Sequence, residues 1–415
     1  MHTAIDPARP AAGRLLLAIG GVYAAQGVVG GLTLQALPAV MRDAGAALDQ
    51  VGLMSLAILP WALKFLWAPA LERWRLPAAG GAPRTRLLVT GGQALMSAVL
   101  LTLAFGMQAQ SGALVPMLGL LALLAASVDI ACDAHAVEHL APARRGWGNA
   151  AQVGGSYLGM YAGAGVFVVL LGWQGWTFAL AALAAMLGAL TLPFFRWGHP
   201  QASGLAAPRV HRPSLAAAWA RPAVRLGLLL TVVFQLGSRL AMGMTGPLLI
   251  DRGVSLADVG WFNGVGGVTA GVVGTCVGAL LVRRAGAQGA LALCLLAQTA
   301  GLSLFCALVF SDAHGTWLLA SAVLKGGLAA AGFVALYAFL MGHASPSQAG
   351  VDFTLFQCAD AAAAALCGVA GGALAQGFGY GVCFGMAAGA AGLALVIVPA
   401  LARRMRPLNF SGDRV

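Results

Sequence analysis

The chain is short of charge. Only 9% of its 415 residues are Asp, Glu, Lys or Arg, where a soluble domain carries about 25%. That is too little polarity to coat a water-facing surface, which excludes an ordinary soluble fold. Lysine is scarcer still: Lys64 and Lys325 are the only two, both inside apolar runs, and every connecting segment uses Arg. No Cys-x-x-Cys pair or Cys/His cluster occurs, so no metal site or disulfide framework is expected. The seven cysteines all fall in apolar segments and read as small packing residues. A Walker loop, a Gly-x-Ser-x-Gly elbow, an HExxH motif and a dinucleotide fingerprint are also missing, so no catalytic residues, no cofactor and no enzyme activity are expected.

What is abundant is apolar and small: 60% of residues are hydrophobic and 58 are glycine. The apolar runs are too long and continuous for the alternating strands of a membrane β-barrel. Runs long enough to cross a bilayer fall near 15–40, 51–71, 85–107, 112–138, 149–171 and 174–196. Six more follow near 224–250, 259–281, 287–310, 314–342, 352–377 and 379–402. The first run begins at Leu15, after Arg9 and Arg14, and is too long for a signal-peptide core, so it reads as the first helix. The fold expected is all-α and integral to the membrane, with twelve helices in two pseudo-symmetric halves of six. The divisions are an N-terminal segment 1–14, a first half 15–196, a linker 197–222, a second half 223–402 and a tail 403–415.

The basic residues set the orientation. With the N-terminus in the cytoplasm, nineteen of the 24 Lys and Arg lie on that side, and only Arg42 and Arg252 lie opposite. Both termini are therefore expected to be cytoplasmic. The same bias accounts for the net charge of +11. It needs no nucleic-acid partner, because the arginines sit at helix ends.

The halves repeat one another. Pro38 and Arg42 lead to Val51-Gly52 as Pro247 and Arg252 lead to Val259-Gly260. Glu138-His139, Pro142 and Gly146 match Gly342-His343, Pro346 and Gly350 at identical spacing. Two parallel six-helix halves joined by a cytoplasmic linker form the plan of major facilitator carriers, with the substrate path between them.

Three stretches carry a narrower likeness. They are Leu59-Pro-Trp-Ala-Leu-Lys-Phe-Leu-Trp-Ala-Pro69, the run Ala126-Ser-Val-Asp-Ile-Ala-Cys-Asp-Ala-His-Ala-Val-Glu138 with Arg145-Gly-Trp-Gly-Asn149, and Asp352-Phe-Thr-Leu-Phe-Gln357. Together they resemble the muropeptide permease and acetyl-CoA transporter group of the major facilitator superfamily. Within it, the twelve-helix length and the opening of the eleventh helix look most like bacterial permeases for siderophores of the rhizobactin and pyochelin type. Muropeptide permeases, the alternative, carry additional helices. The resemblance also implies a gating segment after the second helix, where Glu72 and Arg73 stand. Glu138 with Arg144 and Arg145 forms a second gating candidate after the fourth.

Ionisable residues inside a bilayer cost a few kcal/mol each, so each invites a functional reading. Lys325 is about eleven residues into its helix, ~16 Å deep and near the midplane. Arg239 is similarly central, and both suit a substrate with carboxylate or phenolate oxygens. The alternative for each is a structural ion pair, with Asp360 as the available acid. Lys64, nearer the cytoplasmic end, is a third substrate candidate, or else an amine that snorkels to the interface. Asp129 and Asp133, four apart, share a face of the fourth helix and with Asp360 are the proton-coupling candidates. Tyr23, Gln26, Asn149, Gln152, Asn263 and Gln357 complete the candidate lining. Gly159 and Gly163 continue the Gln152 face and read as helix packing.

The sequence thus leads to a monomeric secondary importer in a bacterial inner membrane, run by the proton gradient. The solute expected is a ferric siderophore or another anionic molecule. A permease for muropeptides is the alternative. A membrane-embedded enzyme, suggested only by His139 and His343, is the reading from another class.

Overall fold

A computed structural model describes residues 12–75, 83–106, 113–139, 145–198, 215–311, 313–344 and 349–405. All regular structure among them is helical. Among the described residues eight helices are apolar and long enough to cross a membrane, including 47-, 55- and 54-residue helices spanning Ala151–Trp197, Leu256–Phe310 and Val351–Arg404. Each of these three contains one glycine with positive φ: Gly175 at +80°, Gly286 at +71° and Gly379 at +83°. Only glycine enters that region without steric cost, so the chain reverses there and each long helix is two spans.

The helices are α1 (Gly13–Asp43), α2 (48–75), α3 (Thr85–Gly106), α4 (Leu114–His139), α5 (145–174) and α6 (175–197). In the second half they are α7 (Pro222–Asp251), α8 (256–285), α9 (286–310), α10 (Gly315–Met341), α11 (349–378) and α12 (379–404). Helix α2 escapes a simple length criterion because it is interrupted. Leu48–Leu53 is α-helical, Met54–Ile58 and Lys64–Leu66 are 3-10 turns, and Ala68–Arg75 is α-helical again. Pro60, at the start of the short helix Leu59–Leu63, supplies no N–H to the preceding turn. The repeat-related helix α8 is interrupted at the corresponding place by a π turn, Phe262–Gly266. Both irregular turns follow directly on the Val51-Gly52 and Val259-Gly260 motifs.

The chain gathers into two compact units. One contains residues 1–40, 66–209 and 256–268; the other contains 41–65, 210–255 and 269–415. In the first unit α1 lies along α5 through small residues. A Cβ on Gly159 would stand 1.9 Å from the Ala24 carbonyl oxygen, so only glycine allows that approach. The opening of α8 joins this unit by the same means, since a Cβ on Gly165 of α5 would lie 2.3 Å from the Gly264 Cα. In the second unit a core of Leu230, Phe234, Leu291, Leu336, Phe356 and Val398 packs α7, α9, α10, α11 and α12 together. The first part of α2 belongs here. A Cβ on Gly52 would meet the Gly372 Cα of α11 at 2.9 Å.

Candidate functional site

In the first unit, α1, α4 and α5 converge on one carboxylate. The Tyr23 hydroxyl donates to Asp133 Oδ1, and the Gln152 amide donates to the same oxygen at 3.2 Å. Tyr23, Gln26 and Asp129 are buried and Asp133 is half-buried. The 3.6-residue period that puts Asp129 and Asp133 on one face of α4 sends His135 elsewhere, edge-on to Phe194 at 5.2 Å between ring centroids. Asn263 is half-buried within the π turn of α8. The cluster presents a phenol, carboxamides and carboxylates, a set suited to hydroxyl and amide groups of a solute and to holding a proton.

In the second unit each of the intramembrane cations has a polar or acidic partner. Arg239 grips Asp360 with two nitrogens: Nε lies 3.0 Å from Oδ1 and Nη2 binds Oδ2. Gln235 donates to Asp360 Oδ1 at 3.1 Å, and the guanidinium lies 5.9 Å from the Phe333 ring centroid. Such a fork-to-carboxylate pair neutralises both charges inside the bundle. Lys64 is 1% exposed and donates to Gln357 Oε1 at 2.6 Å, with the Trp61 ring 5.5 Å away. The snorkelling alternative for Lys64 is therefore corrected: the 3-10 turn Lys64–Leu66 aims its amine at α11 rather than at the interface. Lys325 is not brought to Asp360. Its amine donates to Thr245 Oγ1 at 2.7 Å and lies 4.9 Å from the Phe305 ring.

At the helix ends the structure ties residues that sequence reasoning passed over. Glu72 binds Arg75 through both oxygens, at 2.7 and 2.6 Å. Arg75 also donates to Thr85 at 2.9 Å and is fully buried, whereas Arg73 is exposed. The residue that anchors the end of α2 is thus Arg75, one helical turn after Glu72. Arg42 binds Asp251 at 2.7 Å, and Asp251 also accepts from the Tyr380 hydroxyl at 2.7 Å. Counted from Pro38 and Pro247, Arg42 and Asp251 hold the same place in the two repeats, and that register is the sequence signal that points to them. The Leu48 amide at the start of α2 donates to Gln376 Oε1 at 2.9 Å, so α11 supplies the cap that Ala47 does not. Asp352, buried at the opening of α11, binds Arg221. The gating candidates Arg144, and the side chains of Glu138, Arg145 and Asn149, lie outside the described residues. Among the described residues no group of His, Cys, Asp and Glu has a metal-binding arrangement.

Twelve apolar helices in two repeats, with polar and charged side chains clustered inside each unit, define a membrane carrier, and the chain belongs to the Major Facilitator Superfamily, whose family model matches residues 19–302. Its relatives narrow the reading. It is 29% identical over 395 residues to the anhydromuropeptide permease of Escherichia coli strain K12, covering 90% of this chain and 77% of that protein. An uncharacterized protein of Haemophilus influenzae is 24% identical over 368 residues, covering 83% and 84% of the two chains. Among solved structures, the nucleoside transporter NupG superposes with a TM-score of 0.64 at 14% identity, over 93% of this chain and 99% of the other. A bacterial homolog of the human lysosomal transporter Spinster, in an inward-facing and occupied conformation, gives 0.67 at 15% identity, over 96% and 98%. These two likenesses establish the fold alone. The family and the named relative are transporters. They support the muropeptide alternative over the siderophore subtype expected from the opening of α11, for which they offer no support. Asp352, the residue that opens that stretch, is buried and forms an ion pair with Arg221.

Proposed function

We propose that this protein imports a fragment of bacterial cell wall, a saccharide carrying a short peptide of the anhydromuropeptide kind, across the inner membrane with protons. The observation that carries this reading is the 29% identity to the E. coli permease across 90% of the chain. The side chains agree with such a solute. Tyr23, Gln26 and Gln152 offer hydrogen bonds to sugar hydroxyls and amides, and Asp129 and Asp133 are the proton-coupling candidates. No ATP-binding motif is present, so the energy source in this reading is the proton gradient, with no cofactor. The carrier works as a monomer with both termini in the cytoplasm, following its basic loops.

The test is uptake by cells with and without the gene, comparing labelled anhydromuropeptide with a labelled ferric siderophore. Muropeptide uptake that depends on the gene, with siderophore uptake unchanged, is the expected outcome. Gene-dependent siderophore uptake with muropeptide uptake unchanged would restore the other solute.

A further inference from the structure

We infer that Lys325 is a receptor for a carboxylate of the transported solute, an inference that rests on the solute reading above and adds to it the requirement for a free acid. Three cations lie well away from the helix ends: Lys64, Arg239 and Lys325. Arg239 is neutralised by Asp360, and the Lys64 amine donates to the Gln357 carbonyl oxygen. Lys325 has a hydroxyl and an aromatic face, from Thr245 and Phe305, and no carboxylate within ion-pair distance among the described residues.

The acids of α7 and α11 leave nothing over for it. Asp251 is engaged by Arg42 and Tyr380, Asp352 by Arg221, and Asp360 by Arg239 and Gln235. Lys325 is the eleventh residue of α10, ~16 Å along its axis, deeper than a lipid phosphate reaches. It is half-buried rather than sealed, so an anion can approach it. An ammonium held at that depth without a counter-ion is costly, and the counter-ion comes with the solute. The Thr245 hydroxyl beside it donates to the Ala241 carbonyl oxygen at 2.8 Å and accepts from the amine, which holds the ammonium in place while its remaining hydrogens take a carboxylate. A peptide carboxylate fits this pair, and a neutral saccharide does not need it.

The experiment compares wild type, Lys325→Met and Lys325→Arg in two assays. The first is the melting temperature of purified protein in N-acetyl-D-alanine, in its amide and in sodium chloride at matched ionic strength. The acid should raise the melting temperature of wild type and Lys325→Arg, while the amide and chloride do not. Lys325→Met should melt higher than wild type without ligand and be indifferent to all three. The second assay is uptake of an anhydromuropeptide with free or amidated peptide carboxylates. Amidation or Lys325→Met should raise KM by about tenfold to a hundredfold, and the two losses should not add. Uptake that ignores both changes would overturn the inference while leaving the transport reading intact. An acid response that requires Lys325, in a protein that takes up no anhydromuropeptide, would keep the site and remove the proposed solute. An acid response unchanged in Lys325→Met would also overturn it.

Discussion

At the scale of residues, the intramembrane charges were legible as a set but not as pairs. Hydropathy marks Arg239, Asp360, Lys64 and Gln357 as out of place in apolar helices, and helical spacing gives Asp129 and Asp133 one face. Which cation meets which acid depends on helix rotation and on tilt, and no one-dimensional pattern carries those. Arg239 and Lys325 look equivalent in sequence; the structure pairs one with an acid and gives the other a hydroxyl and a ring. The pair makes a sharp prediction. Arg239→Leu alone leaves Asp360 without its partner and should cost about 3–5 kcal/mol, and Arg239→Leu with Asp360→Leu should recover most of that. Melting temperatures of the purified variants measure it; equal destabilisation by the single and double variants would refute the pairing. On the other face of the chemistry, Asp129→Asn should abolish accumulation driven by a proton gradient and spare exchange of solute down its own gradient. Unaltered pH-dependent accumulation would remove Asp129 from proton transfer.

At the scale of elements, the ends of the spans were readable because polar residues and glycines interrupt the apolar runs at Gly175, Gly286 and Gly379. Their positive φ is the physical form of that interruption. The irregular turns in α2 and α8 were not readable, although the Val51-Gly52 and Val259-Gly260 repeat stood directly before them. Those glycines mark where a helix crosses another at backbone contact, and the crossing partner is a tertiary fact. Residues 41–65 pack in the unit formed mainly by the second half, and residues 256–268 in the unit formed mainly by the first. Gly52→Leu is therefore expected to cost about 1–3 kcal/mol through overpacking against α11 and to slow uptake. Gly91→Leu is the control, because a Cβ at Gly91 meets nothing within 4 Å. Equal melting temperatures and uptake rates for the two variants would show that the Gly52 crossing is not tightly held.

At the scale of the whole molecule, class was written in composition: 9% charge, 60% hydrophobic residues and motifs that recur in each half leave few folds other than a two-repeat carrier. The solute was not. Carriers of this fold share a backbone plan and differ in the few side chains that line the path, so a motif such as Asp352–Gln357 can serve packing and still suggest a ligand. Orientation rests on the distribution of arginines alone, and predicts that reporter domains fused to either terminus are active only in the cytoplasm. The most direct test of the central claim uses purified protein in liposomes with an acidic exterior and labelled anhydromuropeptide outside. Accumulation above the external concentration, collapsing when a protonophore dissipates the gradient, is the predicted result. Failure to accumulate it, in vesicles that do accumulate a ferric siderophore, would contradict the account.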